Sequence, residues 1–362
     1  MVLNILIAFF SLIGLLTLHE FGHFVLAKRC GVKVEEFGIG YPPKLFGKKF
    51  GETVYSLNLL PFGAFVRIHG EEGGIEDYRS FIGKPMRQRV LIILGGVISF
   101  WIIAAILLSI TFSLGIPTPV SDEINQGIVA PQVQIAQVAE DSPAEVAGLQ
   151  PLDIIKEIKY QDSVLRSDKV NEITNFINEH RGKEITLTIQ RWEEIIEVSL
   201  VPRLSPPAGE GATGVALVRT ALRSFPWYES PWRGITATGQ ITVAALQGLA
   251  GVFSQVLKGE GLPAGASLMG PLGIFDFLRH AWQLGLSYFL YFTALISILL
   301  AIFNLLPIPA LDGGKLLFLT IEAVRRKPVP QKVEQNITAF FFLLLITFMI
   351  FVTIKFDIPR IF

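Results

Sequence analysis

The chain has 362 residues, 31 Lys and Arg against 31 Asp and Glu, and only 17% charged residues beside 51% hydrophobic ones. A soluble domain carries about 25% charge, and here a mean hydropathy of +0.51 comes from apolar blocks, which excludes a soluble cytosolic enzyme, a disordered chain and a nucleic-acid binder, whose basic stripe a pI near 7.0 does not supply. A single cysteine, Cys30, excludes an intrachain disulfide and a cysteine-built zinc site, so a membrane protein with a sizeable extramembrane part remains.

The first apolar block, Met1 to about Ala27, meets the roughly 20 residues that a spanning helix needs. It has no Lys or Arg before its core and no small-residue cleavage site after it, so it reads as a span and not as a signal peptide. Residues from about 34 to 70 follow as a strand-like stretch holding FGIGYPPKLF and LNLLPFGAFVRIHGE. A second span is expected from Val90 to about Gly115. Beyond it, residues from about Gln126 to Arg203 read as a small α/β unit: ITLTIQRW and EVSLVP alternate at the strand period, and KVNEITNFINEH has helical spacing. LSPPAGEGATG is a Pro/Gly-rich joint. The long, mildly apolar stretch SPWRGITATGQITVAALQGLAGVFSQVL then reads as a helix lying on or partly in the membrane. A third span from about Tyr288 to Pro309 and a fourth from Ile337 to Ile354 complete the pattern.

Lys and Arg in the connections orient these spans. Residues 28–89 hold 11 in 62 positions and residues 315–332 hold 5 in 18, whereas residues 115–285 hold 13 in 171. The two dense connections are therefore expected in the cytoplasm, with the long segment and both termini outside. Reading the 230s helix as a fifth span would invert the C-terminal half and break this asymmetry.

His19, Glu20 and His23 form HEFGH inside the first block. Residues four apart share a helix face, so both imidazoles can converge on one ion, and the pattern is a metalloprotease signature in which zinc takes the two histidines and the glutamate serves as general base. Three ionisable groups within five positions of a span are costly unless paired or liganded, which favours a metal site over an incidental cluster. The candidate third ligand is Asp312 in NLLPIPALDGG, where Pro307 and Pro309 interrupt the third block. Taken alone, Asp312 reads as the cap of the following helix LLFLTIEAV. His69, His180 and His280 read as surface or structural residues. The run LNLLPFGAFVRI, including Gly63 and Phe65, is a candidate edge strand open to main-chain pairing.

These motifs resemble the site-2 protease family of intramembrane zinc metalloproteases, and within it the bacterial regulator-of-sigma-E protease branch. HEFGH and NLLPIPALDGG match its two metal motifs, with Asn304, Pro307, Asp312 and Gly313 in place. FGIGYPPKLF is similar to its FGxG turn, LNLLPFGAFVRIHGE to its membrane-dipping β-region with Ala64 where a second glycine is usual, and SLMGPLGIFDF to the segment leading into its third span. Gly95-Gly96 and Ser99-Phe100 stand where the family often has Gly-Pro and Asn-Phe. VAEDSPAEVAGLQPLDIIKEI resembles a bacterial PDZ domain, with Leu152 in place of the usual glycine.

The resemblance implies a polytopic α-helical membrane protein of four spans with a membrane-associated β-hairpin region and one inserted α/β PDZ-like domain. It is divided into an N-terminal membrane core (1–115), an extracytoplasmic PDZ-like domain (116–205), a linker and membrane-associated helix (206–285) and a C-terminal membrane core (286–362). It implies one zinc ion per chain held by His19, His23 and Asp312, Glu20 as general base, and substrate contacts from Asn304, Pro307, Gly63 and Phe65. The expected activity is hydrolysis of peptide bonds in or near the transmembrane helices of single-pass proteins such as anti-sigma factors or remnant signal peptides, in the bacterial inner membrane with the site toward the cytoplasm. Membrane lipid and an upstream protease making a first cut are the further partners, and nucleic acid is not one. The rival readings are a catalytically inactive adaptor that recruits clients through the PDZ-like domain, and a transporter with a broken helix at NLLPIPALDGG.

Overall fold

The computed structural model describes residues 2–71, 77–124, 128–192, 194–207, 209–259 and 268–361. Helix α1 (Val2–Arg29) carries Lys28 and Arg29 in its last turn, where positive charge complements the helix dipole. Two long strands follow, β1 (Val34–Phe50) and β2 (Thr53–Ile68), and each folds back on itself. Phe37, Gly38 and Ile39 each have partners in both halves of β2, at 55–57 and at 64–66, while 44–50 pairs with 53–58. The ribbon is thus four short segments in the order 44–50, 53–58, 34–41 and 60–68. Among the described residues nothing pairs with the outer edge of 60–68.

Helix α2 (Met86–Leu114) begins after Pro85 and ends at Gly115. An α/β unit comes next: β3 (Ile116–Pro119), β4 (Val129–Val138), α3 (Pro143–Val146), β5 (Ile154–Tyr160), β6 (Ser163–Leu165), α4 (Val170–Glu179), β7 (Ile185–Arg191), β8 (Glu194–Leu200) and β9 (Val215–Arg223). Its sheet has the order β3-β9-β4-β5-β7-β8, with β6 paired to β5. Inward-facing strand residues, among them Ile155 and Ile158 on either side of an irregularity in β5 and the alternating Ile185, Leu187 and Ile189, meet Ile173 and Ile177 of α4 in one core. The unit runs to Arg223, past the boundary at 205 that the sequence reading gives it. The Pro/Gly-rich stretch is a loop within the sheet, because β9 inserts between β3 and β4.

The remaining helices are α5 (Ser230–Lys258), α6 (Pro271–Gln283), α7 (Leu286–Leu305), α8 (Asp312–Arg325), α9 (Gln331–Val352), a π-helical stretch at Thr353–Asp357, and α10 (Ile358–Ile361). Helix α7 stops before Pro307, whose ring forces Leu306 into an extended conformation (ψ 143°). Five described helices are long and apolar enough to cross a membrane, α5 among them, where the sequence reading expects four. Helix α5 has the lowest mean hydropathy of the five, 1.3 against 1.9 or more. It packs on α2, with Pro231 beside Ser109 and Gly234 against Ala105 and Ser109. Ala237, Ile241 and Ala245 then join Ala104, Leu108, Ala294 and Ile298 in a cluster between α2, α5 and α7. Large apolar side chains such as Phe10, Ile102, Phe253, Phe342 and Phe348 are exposed on the long helices, as lipid-facing surfaces require.

Candidate metal centre

Helical spacing puts His19 and His23 on one face of α1, turned toward α2 and the start of α8. The break between α7 and α8 brings Asp312 to the same place. His23 Nε2 lies 3.3 Å from His19 Nε2, and Asp312 Oδ2 lies 3.4 Å from the former's neighbour His19 Nε2 and 3.2 Å from His23 Nε2. All three residues are buried. Asp312 is the first residue of α8, with Leu311 as its cap position and no side-chain capping bond, so its carboxylate faces the histidines instead of closing the helix.

The three donors fit a zinc ion. Tetrahedral zinc with ligands at about 2.0–2.1 Å needs donor atoms about 3.3–3.4 Å apart, and the triangle of Nε2, Nε2 and Oδ2 matches that edge. The proton bookkeeping agrees. His23 Nδ1 lies 2.9 Å from the carbonyl oxygen of Ile92, which can only accept, so Nδ1 carries the proton and the Nε2 lone pair faces the triangle. That is the outer-shell arrangement that orients a metal-ligating histidine. Asp312 Oδ2 is buried without a hydrogen-bond partner, an arrangement of converging lone pairs that a cation relieves. Among the described residues, His19, His23 and Asp312 are the group of ligand-type side chains that converges in this way.

Glu20, adjacent to the first histidine, leans to the β-ribbon, where the Val66 amide donates to its Oε2 at 3.1 Å. Because main-chain groups of a strand alternate in direction, Ala64 presents its amide and carbonyl to the same open edge as Val66. Gly63 is buried, and its φ of +106° is a conformation that glycine alone adopts readily; a side chain there would approach Leu16 and Tyr41. Phe65 stacks on Tyr41 at 6.2 Å between ring centroids. Asn304 donates to the Leu300 carbonyl of its own helix at 2.9 Å, and Pro307 is exposed.

The other histidines stand apart from the triangle. His69 bridges Glu35 Oε1 at 2.6 Å and Asp77 Oδ2 at 3.0 Å. His180 bonds the Phe176 carbonyl, and His280 stacks on Trp192.

Sequence reasoning missed the residues that make room for the centre. A Cβ on Gly96 would collide with His23 Nε2 and with the ring of His19, and one on Gly22 would collide with Gly95 and Ser99 of α2. Phe100, one turn after Gly96, stacks on His19 with ring centroids 4.6 Å apart. The available signal was the glycine pair in mid-span, since small residues in transmembrane helices mark close backbone approach.

A model of peptidase family M50 matches residues 7–348. A Clostridium perfringens protein whose name assigns it provisionally as a zinc metalloprotease is 31% identical over 355 residues, covering 97% of each chain. The zinc metalloprotease RasP of Oceanobacillus iheyensis is 29% identical, covering 98% of this chain and 99% of its own. The regulator of sigma-W protease RasP of Bacillus subtilis is 29% identical and covers the whole of both chains. Among solved structures, the PDZ domain of an SdrC-like protein from Listeria monocytogenes aligns with 26% of this chain and 92% of its own, at 18% identity and a TM-score of 0.21.

Proposed function

The chain belongs to peptidase family M50, the site-2 metalloproteases, and from that premise we propose that it hydrolyses peptide bonds within or near the transmembrane helices of single-pass membrane proteins, using one zinc ion held by His19, His23 and Asp312. The observation that carries this reading is the buried triangle of donor atoms with edges of 3.2–3.4 Å in a helix that also presents Glu20. When bound, zinc supplies Lewis-acid polarisation of the scissile carbonyl and lowers the pKa of water toward neutrality.

The protein residues supply the remainder. Glu20, held by the Val66 amide, takes the proton of the attacking water and returns it to the leaving amine. A helical substrate hides its carbonyls in its own hydrogen bonds and must unwind. The open edge of 60–68, running past α1 beside Glu20, offers replacement main-chain bonds by β-augmentation, with Gly63 allowing close approach and Phe65 backing the strand. Asn304 and Pro307, at the broken end of α7, are assigned to the substrate backbone on the family resemblance.

In this reading α1, α2, α7 and α9 are the four spans, both termini and the PDZ-like unit are extracytoplasmic, and α5 is an additional membrane-embedded helix on α2. The charge asymmetry of the connections supports that orientation. The name of the B. subtilis relative, regulator of sigma-W protease, supports a substrate whose cleavage controls a sigma factor, and anti-sigma factors are the kind we propose. The test is cleavage of tagged single-pass proteins, with and without their external domains, by the purified enzyme in vesicles. Cleavage inside the span that disappears on chelation and returns with zinc is the expected result, and cleavage indifferent to metal would leave an adaptor as the better reading.

A further inference from the structure

Lys315 follows Asp312 by three residues on α8, and its Nζ reaches Glu71 Oε1 at 2.5 Å. Glu71 lies in the turn that ends the β-ribbon, its amide bonded back to the Ile68 carbonyl at 3.2 Å. The ribbon in turn holds Glu20 through Val66. The ion pair joins segments 244 positions apart and closes a circuit: from Asp312 along one turn of α8 to Lys315, across to Glu71, back along 60–68 to Val66, and on to Glu20.

The lysine of this ion pair is 46% exposed and its glutamate 18%, so the pair is partly shielded from solvent and joins two surface elements rather than anchoring a core. Its consequence is therefore one of position. The ribbon packs on α1, while the third donor comes from α8, beyond the interruption that separates it from α7. Something must hold the open edge and Glu20 in register with Asp312, and a small misplacement of a reacting group costs rate steeply.

Resting on the protease reading above, we propose that Lys315 and Glu71 are positioning residues for peptide hydrolysis. Their pair latches α8 to the end of the ribbon and so fixes the Val66 edge and the Glu20 carboxylate relative to the ligand triangle. Neither residue touches the reacting atoms.

The test uses the full-length enzyme in vesicles with a single-pass substrate, and the variants Lys315→Met, Glu71→Gln, Lys315→Arg and the double variant Lys315→Met with Glu71→Gln. The two neutralising variants are expected to lower kcat about tenfold, with KM within about twofold and zinc content unchanged, and to speed amide exchange over residues 53–68. Lys315→Arg keeps most of the activity, and the double variant loses no more than either single one, because both remove the same contact. Losses that multiply in the double variant, unchanged kcat and exchange in both single variants, or a raised KM in Lys315→Met with Glu71→Gln silent would each overturn the proposal, the last by making Lys315 a direct substrate contact. The exchange measurement needs no cleavage, so a wild-type enzyme inactive on every substrate would count against the protease reading while the latch is still judged.

Discussion

Gly96 of α2 lies against His23 of α1 so closely that a single methyl group at position 96 would come within 2.3 Å of the histidine Nε2. The two helices can meet at this depth because Gly22, Gly95 and Gly96 carry no side chains, and the ligand pair is buried in the seam they leave. Gly96→Ala is expected to displace the imidazoles, lowering zinc occupancy and reducing cleavage by about 10²-fold or more. Gly14→Ala, eight residues back from Gly22 on α1 with open space around it, is the matched control and should leave both unchanged. Zinc content and initial cleavage rate of the two variants decide the point, and normal metal loading in Gly96→Ala would count against the geometry.

Glu20 is not one of the three converging donors, and the proposed mechanism gives it the proton transfer. Glu20→Gln should therefore keep its zinc and lose cleavage, by roughly 10²–10⁴-fold for removal of a general base. Loss of the metal along with the activity would instead mark Glu20 as a ligand.

His69 gives the ribbon a pH-dependent tie. Its hydrogen bond to Glu35, and then that to Asp77, raise the imidazole above its ordinary value of 6.5. A histidine held protonated in the folded state adds stability that is fully present below pH 6.5 and is lost as pH rises through the higher folded value. The segment from Asp77 to Gly83 should accordingly open as pH is raised above neutrality, seen as faster proteolysis or exchange, and His69→Gln should remove that dependence. An identical pH profile in the variant would refute the assignment.

Leu152 has a φ of +77°, a left-handed conformation that costs a side-chain-bearing residue about 1–2 kcal/mol. Leu152→Gly relieves this strain against about 0.5–1 kcal/mol of unfolded-state entropy, so a net stabilisation of up to about 1 kcal/mol is expected in the α/β unit. Slower amide exchange over 129–200 in the full-length variant is the measurement. Faster exchange would mean that the packing of the leucine outweighs its strain.

This last residue shows how far the sequence could be read. The mismatch of Leu152 with the PDZ-like pattern was visible, but the backbone angle that makes glycine usual there was not. HEFGH was legible because four-residue spacing on a helix is a local property, and Asp312 because two prolines just before it interrupt an apolar block. Features set by distant pairing were not legible. The two-sided pairing of Phe37, Gly38 and Ile39 depends on both halves of a folded-back strand. β9 was lost behind a Pro/Gly-rich loop that imitates a domain boundary. Gly96 looks like filler in a hydrophobic run until α1 is placed beside it, and α5 carries too mild an apolar signal to reveal that it packs along α2.

The central claim is that one turn of α1 and the first residue of α8 share a zinc ion, and metal analysis of the purified chain tests it most directly. The wild-type protein should carry close to one zinc per chain, and His23→Ala and Asp312→Ala should each lose it together with cleavage activity. A wild-type chain that cleaves its substrate without zinc, or an Asp312→Ala variant that binds the metal as fully as wild type, would contradict the account.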